Sequence, residues 1–248
     1  MSNINDTYFD GHYKDIWRTM IPAELTVKEV DFMLSYFSLG PGSKVLDLMC
    51  GYGRHAIALA QKGIAVTAVD NLDEYIREIK EVVIKESLPV EVVQQDAIRF
   101  TSTVQYDLAL CMGNSLNFFN AEDASLFLHN TCSMLKPGGC LLINSWSLTE
   151  IAVKSFTPRS WSEIGNLKFL SACEYLFHPT RMEFTSTILS PDGKTEVKNG
   201  IDYIYSVSEM ETMLNKAGFK MKEIYSIPGR KKFTLGEPRA YIVAEKLS

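Results

Sequence analysis

Between Lys44 and Ser145 the chain alternates short apolar runs with amphipathic stretches, and this alternation limits it to few folds. The runs are Lys44–Leu48, Ile64–Val69, Val90–Val93, Tyr106–Met112 and Cys140–Ser145. Each has the length of a strand and is apolar nearly throughout. Strands apolar on both faces belong in a parallel sheet covered by helices on both sides. The segments between them, Arg54–Lys62, Leu72–Ser87 and Ala121–Leu135, carry apolar residues at helical spacing. Gly63 and the Lys136-Pro-Gly-Gly139 turn stop the helices before them.

The flanks follow other patterns. Residues 1–40 predict one or two helices, with Leu25, Val30, Met33, Leu34 and Phe37 near helical spacing after Pro22. Leu39-Gly-Pro-Gly-Ser43 then breaks the chain. Beyond Ser145, the segments Leu167–Phe177, Arg181–Ser190 and Glu196–Tyr205 alternate polar and apolar residues. They are joined by His178-Pro-Thr180 and Pro191-Asp-Gly193, both turn-like. They predict an antiparallel three-stranded insertion. A helix follows over Ser208–Ala217, with Ser208 and Glu211 spaced as a capping box. Phe219–Tyr225 and Arg239–Glu245 supply two last strands. The expected fold is α/β: a seven-stranded, mostly parallel sheet with helices on both faces, plus the insertion. Its divisions are an N-terminal helical lid over 1–40, a main domain over 41–150 and 206–248, and an inserted β-subdomain over 151–205.

Composition narrows the partners. A net charge of −5 gives no basic footprint, so nucleic acid is not the expected substrate. The five cysteines are dispersed, with no CxxC pair, so neither a disulfide framework nor a metal site is expected. Reduced thiols fit a cytoplasmic protein. The start, MSNINDTYFDGHYKDIW, lacks a signal-peptide core, and no apolar run reaches the roughly 18 residues that would span a membrane.

The densest chemistry lies in Val45-Leu-Asp-Leu-Met-Cys-Gly-Tyr-Gly-Arg-His55. A strand ends in a carboxylate, and a glycine turn then leads into a helix. Gly51 and Gly53 permit a tight turn and close approach of a ligand to the backbone, and the helix start offers free N–H groups. Asp70 lies about 20 residues beyond Gly51, at the end of the second strand, where a ribose-binding acid belongs. A dinucleotide fold shares all of this. It does not require Asp47, whose carboxylate suits a cationic group better than a phosphate.

These residues resemble the class I S-adenosylmethionine-dependent methyltransferases, which have a Rossmann-like fold. The resemblance covers residues 40–147. It implies S-adenosyl-L-methionine as cofactor, with Asp47, Gly51 and Gly53 in the first loop and Asp70 and Asn71 at the ribose. Asp96 and Ala97, within Gln95-Asp96-Ala97, match the adenine corner. Tyr106–Ser115 matches the fourth-strand motif, which brings Cys111, Met112 and Asn114 toward the methyl group. Met49 departs from the pattern by replacing the usual first glycine, and either lines the cofactor or packs inward. Asp96 read alone is better explained as a helix or turn cap.

The acceptor is constrained mainly by elimination. Methyl transfer needs alignment and exclusion of water, and an amine acceptor must arrive deprotonated or meet a base. His12 and Tyr13 are the candidate catalytic residues. With Tyr8 and Trp17 they form an aromatic N-terminal stretch, which either folds over the site as a lid or packs as a surface helix. Tyr13 and Trp17 are also expected at the cofactor. His55 follows the loop and reads equally as a site residue or a helix-surface residue, His129 is expected outside the site, and His178 in a turn. Methylases of nucleic-acid bases resemble one another in an Asn/Asp-Pro-Pro-aromatic motif, and Gly113-Asn-Ser-Leu-Asn-Phe-Phe119 has no proline. The insertion resembles that of sugar N,N-dimethyltransferases and glycine or sarcosine methyltransferases. A small-molecule acceptor, methylated at nitrogen or oxygen, is therefore expected. The inserted strands could instead cover apolar surface or pair two copies in a homodimer. An NAD-dependent oxidoreductase and a non-catalytic S-adenosylmethionine-binding protein are the alternatives.

Overall fold

A computed structural model describes residues 3–247. Its helices are α1 (Tyr13–Met20), α2 (Ala23–Tyr36), α3 (Arg54–Gln61), α4 (Asp73–Glu86), α5 (Ala121–Met134), α6 (Thr149–Ser155) and α7 (Val207–Lys216). Its strands are β1 (Lys44–Leu48), β2 (Ala65–Asp70), β3 (Val90–Gln94), β4 (Tyr106–Cys111), β5 (Leu135–Ser145), β6 (Arg159–Ile164), β7 (Leu167–Phe177), β8 (Thr180–Leu189), β9 (Thr195–Tyr203), β10 (Phe219–Ile227), β11 (Lys231–Lys232) and β12 (Ala240–Lys246). Single 3₁₀ turns cover Ile4–Thr7 and Ser115–Phe118.

The main sheet runs β11-β10-β12-β5-β4-β1-β2-β3. The five strands from β5 to β3 are parallel, and β12, β10 and β11 are antiparallel. Its central strands β1, β2 and β4 are buried on both faces, and the side-chain alternation sends successive residues into two cores. Leu46, Leu48, Ala109 and Cys111 face the core formed with α5 and α7. Val45, Leu108 and Leu110 face the core formed with α2 and α3. This is the doubly covered sheet that the apolar runs predict. The eighth strand is the two-residue β11, which pairs with β10.

The second sheet, β6-β7-β8-β9, is antiparallel throughout. It has four strands where three were expected. Arg159–Ile164 pairs with β7 as an edge strand, and being mostly exposed it carries no clean burial pattern. The α7 capping box also differs. Ser206 and Glu209 form it, two residues before the expected pair, so the helix starts at Val207. The Lys136–Gly139 turn lies inside β5, at a shift in its register with β4.

The topology places a crevice. Chain order reverses between β1 and β4, which lead to opposite halves of the sheet. Open α/β sheets bind ligands at the carboxyl ends of strands beside such a reversal. The N-terminal segment closes over that edge. Asn5 takes the place of a neighbouring strand for β9: its Nδ2 donates to the Ile201 carbonyl (2.9 Å) and its Oδ1 accepts from the Ile201 amide (2.9 Å). Gly200 makes room for this contact. A Cβ there would lie 2.4 Å from the Phe184 ring and 3.1 Å from Asn5 Oδ1.

Candidate active site

A cavity of about 700 Å³ opens where the carboxyl ends of β1, β2 and β4 meet the N-terminal segment and β9. It is lined by eleven of the residues singled out from sequence: Tyr13, Trp17, Asp47, Met49, Gly51, Asp70, Asn71, Asp96, Ala97, Met112 and Asn114. His12, Gly53 and Cys111 lie outside the lining.

Each of those three has a local reason. His12 is drawn toward β9, with Nε2 3.8 Å from Glu196 Oε1 and Nδ1 3.8 Å from Asp15. Gly53 begins α3 at φ +76, and a Cβ there would lie 2.8 Å from Ile79 Cγ1, so this glycine serves the contact between α3 and α4. Cys111 is fully buried, on the side of β4 that faces α5. Burial pushes its thiol well up, so it is no nucleophile at neutral pH.

Asp47 ends the β1 apolar run only 1% exposed. Its Oδ2 is buried and has no hydrogen-bond partner. Burial pushes this carboxyl up to about 7, with Arg54 and the Ala56 amide opposing it and the Asp70 charge adding to it. A buried oxygen without a partner is costly unless a ligand supplies one. Asp70 is arranged differently. Its Oδ2 accepts from the Gly51 amide (2.8 Å) and its Oδ1 from the Leu72 amide (3.0 Å), so it holds the loop against the start of α4. Burial raises its pKa, and these amides oppose that shift. Gly51, at φ +57, has open space where a Cβ would point, so a ligand can reach the backbone there. Met49 also adopts a left-handed conformation, at φ +54, and both lines the cavity and packs on the α5-side core.

Asp96 is half-exposed and its Oδ1 accepts from the Ile98 amide (2.9 Å), so it caps a turn while lining the cavity. Asn71 donates to Asp6 Oδ1 (2.8 Å), which fastens the N-terminal segment to the crevice. Over the opening, Trp17 and Trp146 pair at 5.5 Å between ring centroids, and Trp17 passes close to Gly113. Tyr8 sits 4.7 Å from Tyr13 and 5.0 Å from Phe184, centroid to centroid. Of the aromatic stretch, Tyr8, Phe9, Tyr13 and Trp17 line the cavity, and His12 does not.

Asn114 faces the cavity but is spent as a strut. At φ +68, its Oδ1 accepts from the amides of Trp146 (2.9 Å) and Ser147 (3.0 Å). Its Nδ2 donates to Ser147 Oγ (2.9 Å) and to Asp202 Oδ2 (3.1 Å). Asp202, on β9, was not singled out from sequence. It is 7% exposed and lines the cavity, and Ser147 Oγ also donates to its Oδ2 (2.8 Å). Its Oδ1 is buried without a partner. Burial pushes it up to about 7, with Ser147 and Asn114 opposing.

His55 is not on the surface. It is buried at the start of α3, with Nε2 2.9 Å from Glu29 Oε2. Glu29 also accepts from Arg54 (2.5 Å) and from the Tyr241 hydroxyl (2.7 Å). Burial would raise Glu29, but His55 and Arg54 outweigh it and bring the carboxyl down to about 2. This network ties α2, α3 and β12 together beneath the cavity.

Residues 45–139 match a methyltransferase domain family. The chain is 33% identical over 117 residues to the putative methyltransferase YqeM of Bacillus subtilis, covering 46% of this chain and 47% of that one. It is 28% identical over 143 residues to a glycine/sarcosine N-methyltransferase of Halorhodospira halochloris, covering 56% and 53%. It is also 28% identical over 174 residues to the S-adenosyl-L-methionine-dependent Diels-Alderase iliD of a Neonectria strain, covering 67% and 64%. The chain spans about half the length of the curated relatives it matches. Solved structures share the whole fold. The CcbJ methyltransferase of Streptomyces caelestis superposes with a TM-score of 0.84 at 17% identity, covering 98% of this chain and 99% of that one. The amino pentose methyltransferase CalS10 of Micromonospora echinaspora gives 0.73 at 16% identity, covering 96% and 97%.

Proposed function

We propose that the protein transfers the methyl group of S-adenosyl-L-methionine to a small-molecule acceptor, at nitrogen or oxygen. The observation that carries this reading is the unpaired Oδ2 of Asp47, buried beside the glycine loop at the crevice. The α-ammonium of the cofactor fits it, and open space at Gly51 fits the ligand's close approach. A dinucleotide would bring phosphates to this loop and leave the carboxylate facing like charge.

The cofactor supplies an activated methyl group on a sulfonium. The chain supplies everything else. Asp47 would hold the ammonium, Asn71 and the loop set by Asp70 would hold the ribose, and Asp96 and Ala97 would flank the adenine. The lid of Tyr8, Phe9, Tyr13 and Trp17 keeps water from the reacting atoms, and the cavity walls fix the line of attack. The small cavity and the net charge of −5 favour a small acceptor over nucleic acid. The similarity to a protein named as a glycine/sarcosine N-methyltransferase supports the same class of acceptor.

Calorimetry tests this directly. S-adenosylhomocysteine is expected to bind, NAD is expected to give no heat, and labelled methyl should pass to small amines or alcohols. Binding of NAD alone would overturn the proposal. A second reading draws on the relatives named as Diels-Alderases, in which the cofactor is bound for a different reaction. Under it, S-adenosylhomocysteine binds and no labelled methyl leaves the cofactor.

A further inference from the structure

Among the described residues, two buried side-chain oxygens lack a hydrogen-bond partner, and both belong to carboxylates that line the same cavity. Asp47 meets the cofactor under the function proposed above. That leaves Asp202 with nothing to pair with. We propose that Asp202 Oδ1 is the acceptor-binding group and that the acceptor is an amine.

The construction around Asp202 fits this role. Its Oδ2 is fixed by Ser147 Oγ at 2.8 Å and by Asn114 Nδ2 at 3.1 Å, which orients the carboxylate and leaves Oδ1 free. The struts come from the carboxyl ends of β4 and β5, so Asp202 is held against the sheet edge where the methyl group would be presented. Neutral acceptors such as alcohols would bury this charge without neutralising it, whereas an ammonium neutralises it. The neighbouring walls also suit a cation. Tyr8, Tyr13, Trp146 and Phe184 line the same cavity, and aromatic faces attract ammonium groups.

The titratable groups that feel the Asp202 charge do not compete with it for the proton. They are Tyr8 and Tyr13 from the N-terminal segment and Cys173 from β7, each raised further by the Asp202 charge. Burial pushes Tyr8 up to about 12 and Tyr13 well above its ordinary value, so both are donors at neutral pH. Burial likewise pushes Cys173 up to about 11. His55 is committed to Glu29. Asp202, held near 7, is suited to accept a proton at working pH.

The step balances. An ammonium pairs with Asp202 and gives it one proton. The lone pair on the neutral amine then forms the new N–C bond. The C–S bond breaks with its electrons going to sulfur, leaving S-adenosylhomocysteine and an N-methylated ammonium. The proton on Asp202 leaves to water when product departs.

The test compares the wild type with Asp202→Asn, using methyl-labelled S-adenosylmethionine and a panel of amino sugars, amino acids and aryl amines. Each amine is matched with its hydroxyl counterpart. Amines are expected to be methylated and their hydroxyl counterparts not. Asp202→Asn should lower kcat/KM for the amine about 100-fold, and should remove the rise in kcat/KM with pH near 7. Its affinity for S-adenosylhomocysteine, read by calorimetry, should stay within about threefold of wild type, which also shows that the variant is folded. Transfer confined to hydroxyls, transfer to no amine of the panel, or an Asp202→Asn variant within threefold of wild type overturns the assignment. Failure of the wild type to bind S-adenosylhomocysteine overturns the methyltransferase reading itself.

Discussion

Four carboxylates are buried at this end of the molecule, and they divide by whether the chain supplies partners for both oxygens; Asp70 has them from backbone amides. Glu29 has three partners within the protein, and its carboxyl is held down to about 2. Asp47 and Asp202 each have an oxygen with none, and burial lifts both to about 7. A completed network holds the fold together. An incomplete one is a cost that the folded protein carries until a ligand arrives. Losing the same chemical group should therefore destabilise the ligand-free protein at Glu29 and stabilise it at Asp47 or Asp202.

The largest expected effect tests the Asp47 half of this contrast. Asp47→Ala should weaken S-adenosylhomocysteine binding by about 10- to 150-fold, in line with the roughly 1.5–3 kcal/mol of a hydrogen bond to a charged group. An unchanged calorimetric affinity would mean that the free oxygen serves no ligand. Glu29→Ala comes next. It strands Arg54, His55 and Tyr241, and should cost about 3 kcal/mol of stability, read from denaturant unfolding. A neutral result would place Glu29 with the other two.

Smaller shifts should appear with pH. A carboxyl whose folded pKa lies near 7 and whose unfolded pKa lies near 4 binds more protons in the folded state between those values. Its contribution is thus fully present at low pH and is lost as pH rises toward 7. Thermal scans of the ligand-free protein should show the melting temperature falling between pH 5 and pH 7.5. In Asp47→Asn/Asp202→Asn this fall should flatten, and the variant should melt above wild type at pH 7.5. Glu29 acts in the opposite sense. Its stabilisation is present above pH 4.5 and is lost as pH falls toward 2. An unaltered profile in the double variant would mean that neither aspartate is strained in the ligand-free state.

The same division explains what the sequence made legible. Asp47 was readable because its signal is contiguous: a strand, a carboxylate and a glycine turn lie within one short stretch. Asp70 followed from the spacing of one βαβ unit. Asp202 lies in an alternating strand whose register is invisible in sequence, and its partners Ser147 and Asn114 are 55 and 88 residues away. Asn5 is farther still from Ile201, at 196 residues. Glu29 and His55 look like solvent-facing residues of amphipathic helices, and only the packing of α2 on α3 buries them together. The parallel sheet was legible because its apolar runs are unbroken. The edge strand β6 was not, because it buries almost nothing.

Met49 offers the finest test of how Asp47 keeps its free oxygen. It lies two residues beyond Asp47, at φ +54, a conformation that costs a non-glycine residue about 1 kcal/mol or more. Met49→Gly would release that cost and would also remove a side chain packed on the α5-side core. The two effects oppose, so stability should change by no more than about 1 kcal/mol. If the loop backbone, through the Gly51 amide on Asp70, sets the position of Asp47, S-adenosylhomocysteine affinity should change less than tenfold. If the Met49 side chain wedges the loop open instead, affinity should fall much further while stability barely moves. A calorimetric titration beside a melting curve separates these outcomes, and it decides whether the missing glycine was exchanged for a side chain that contacts the ligand.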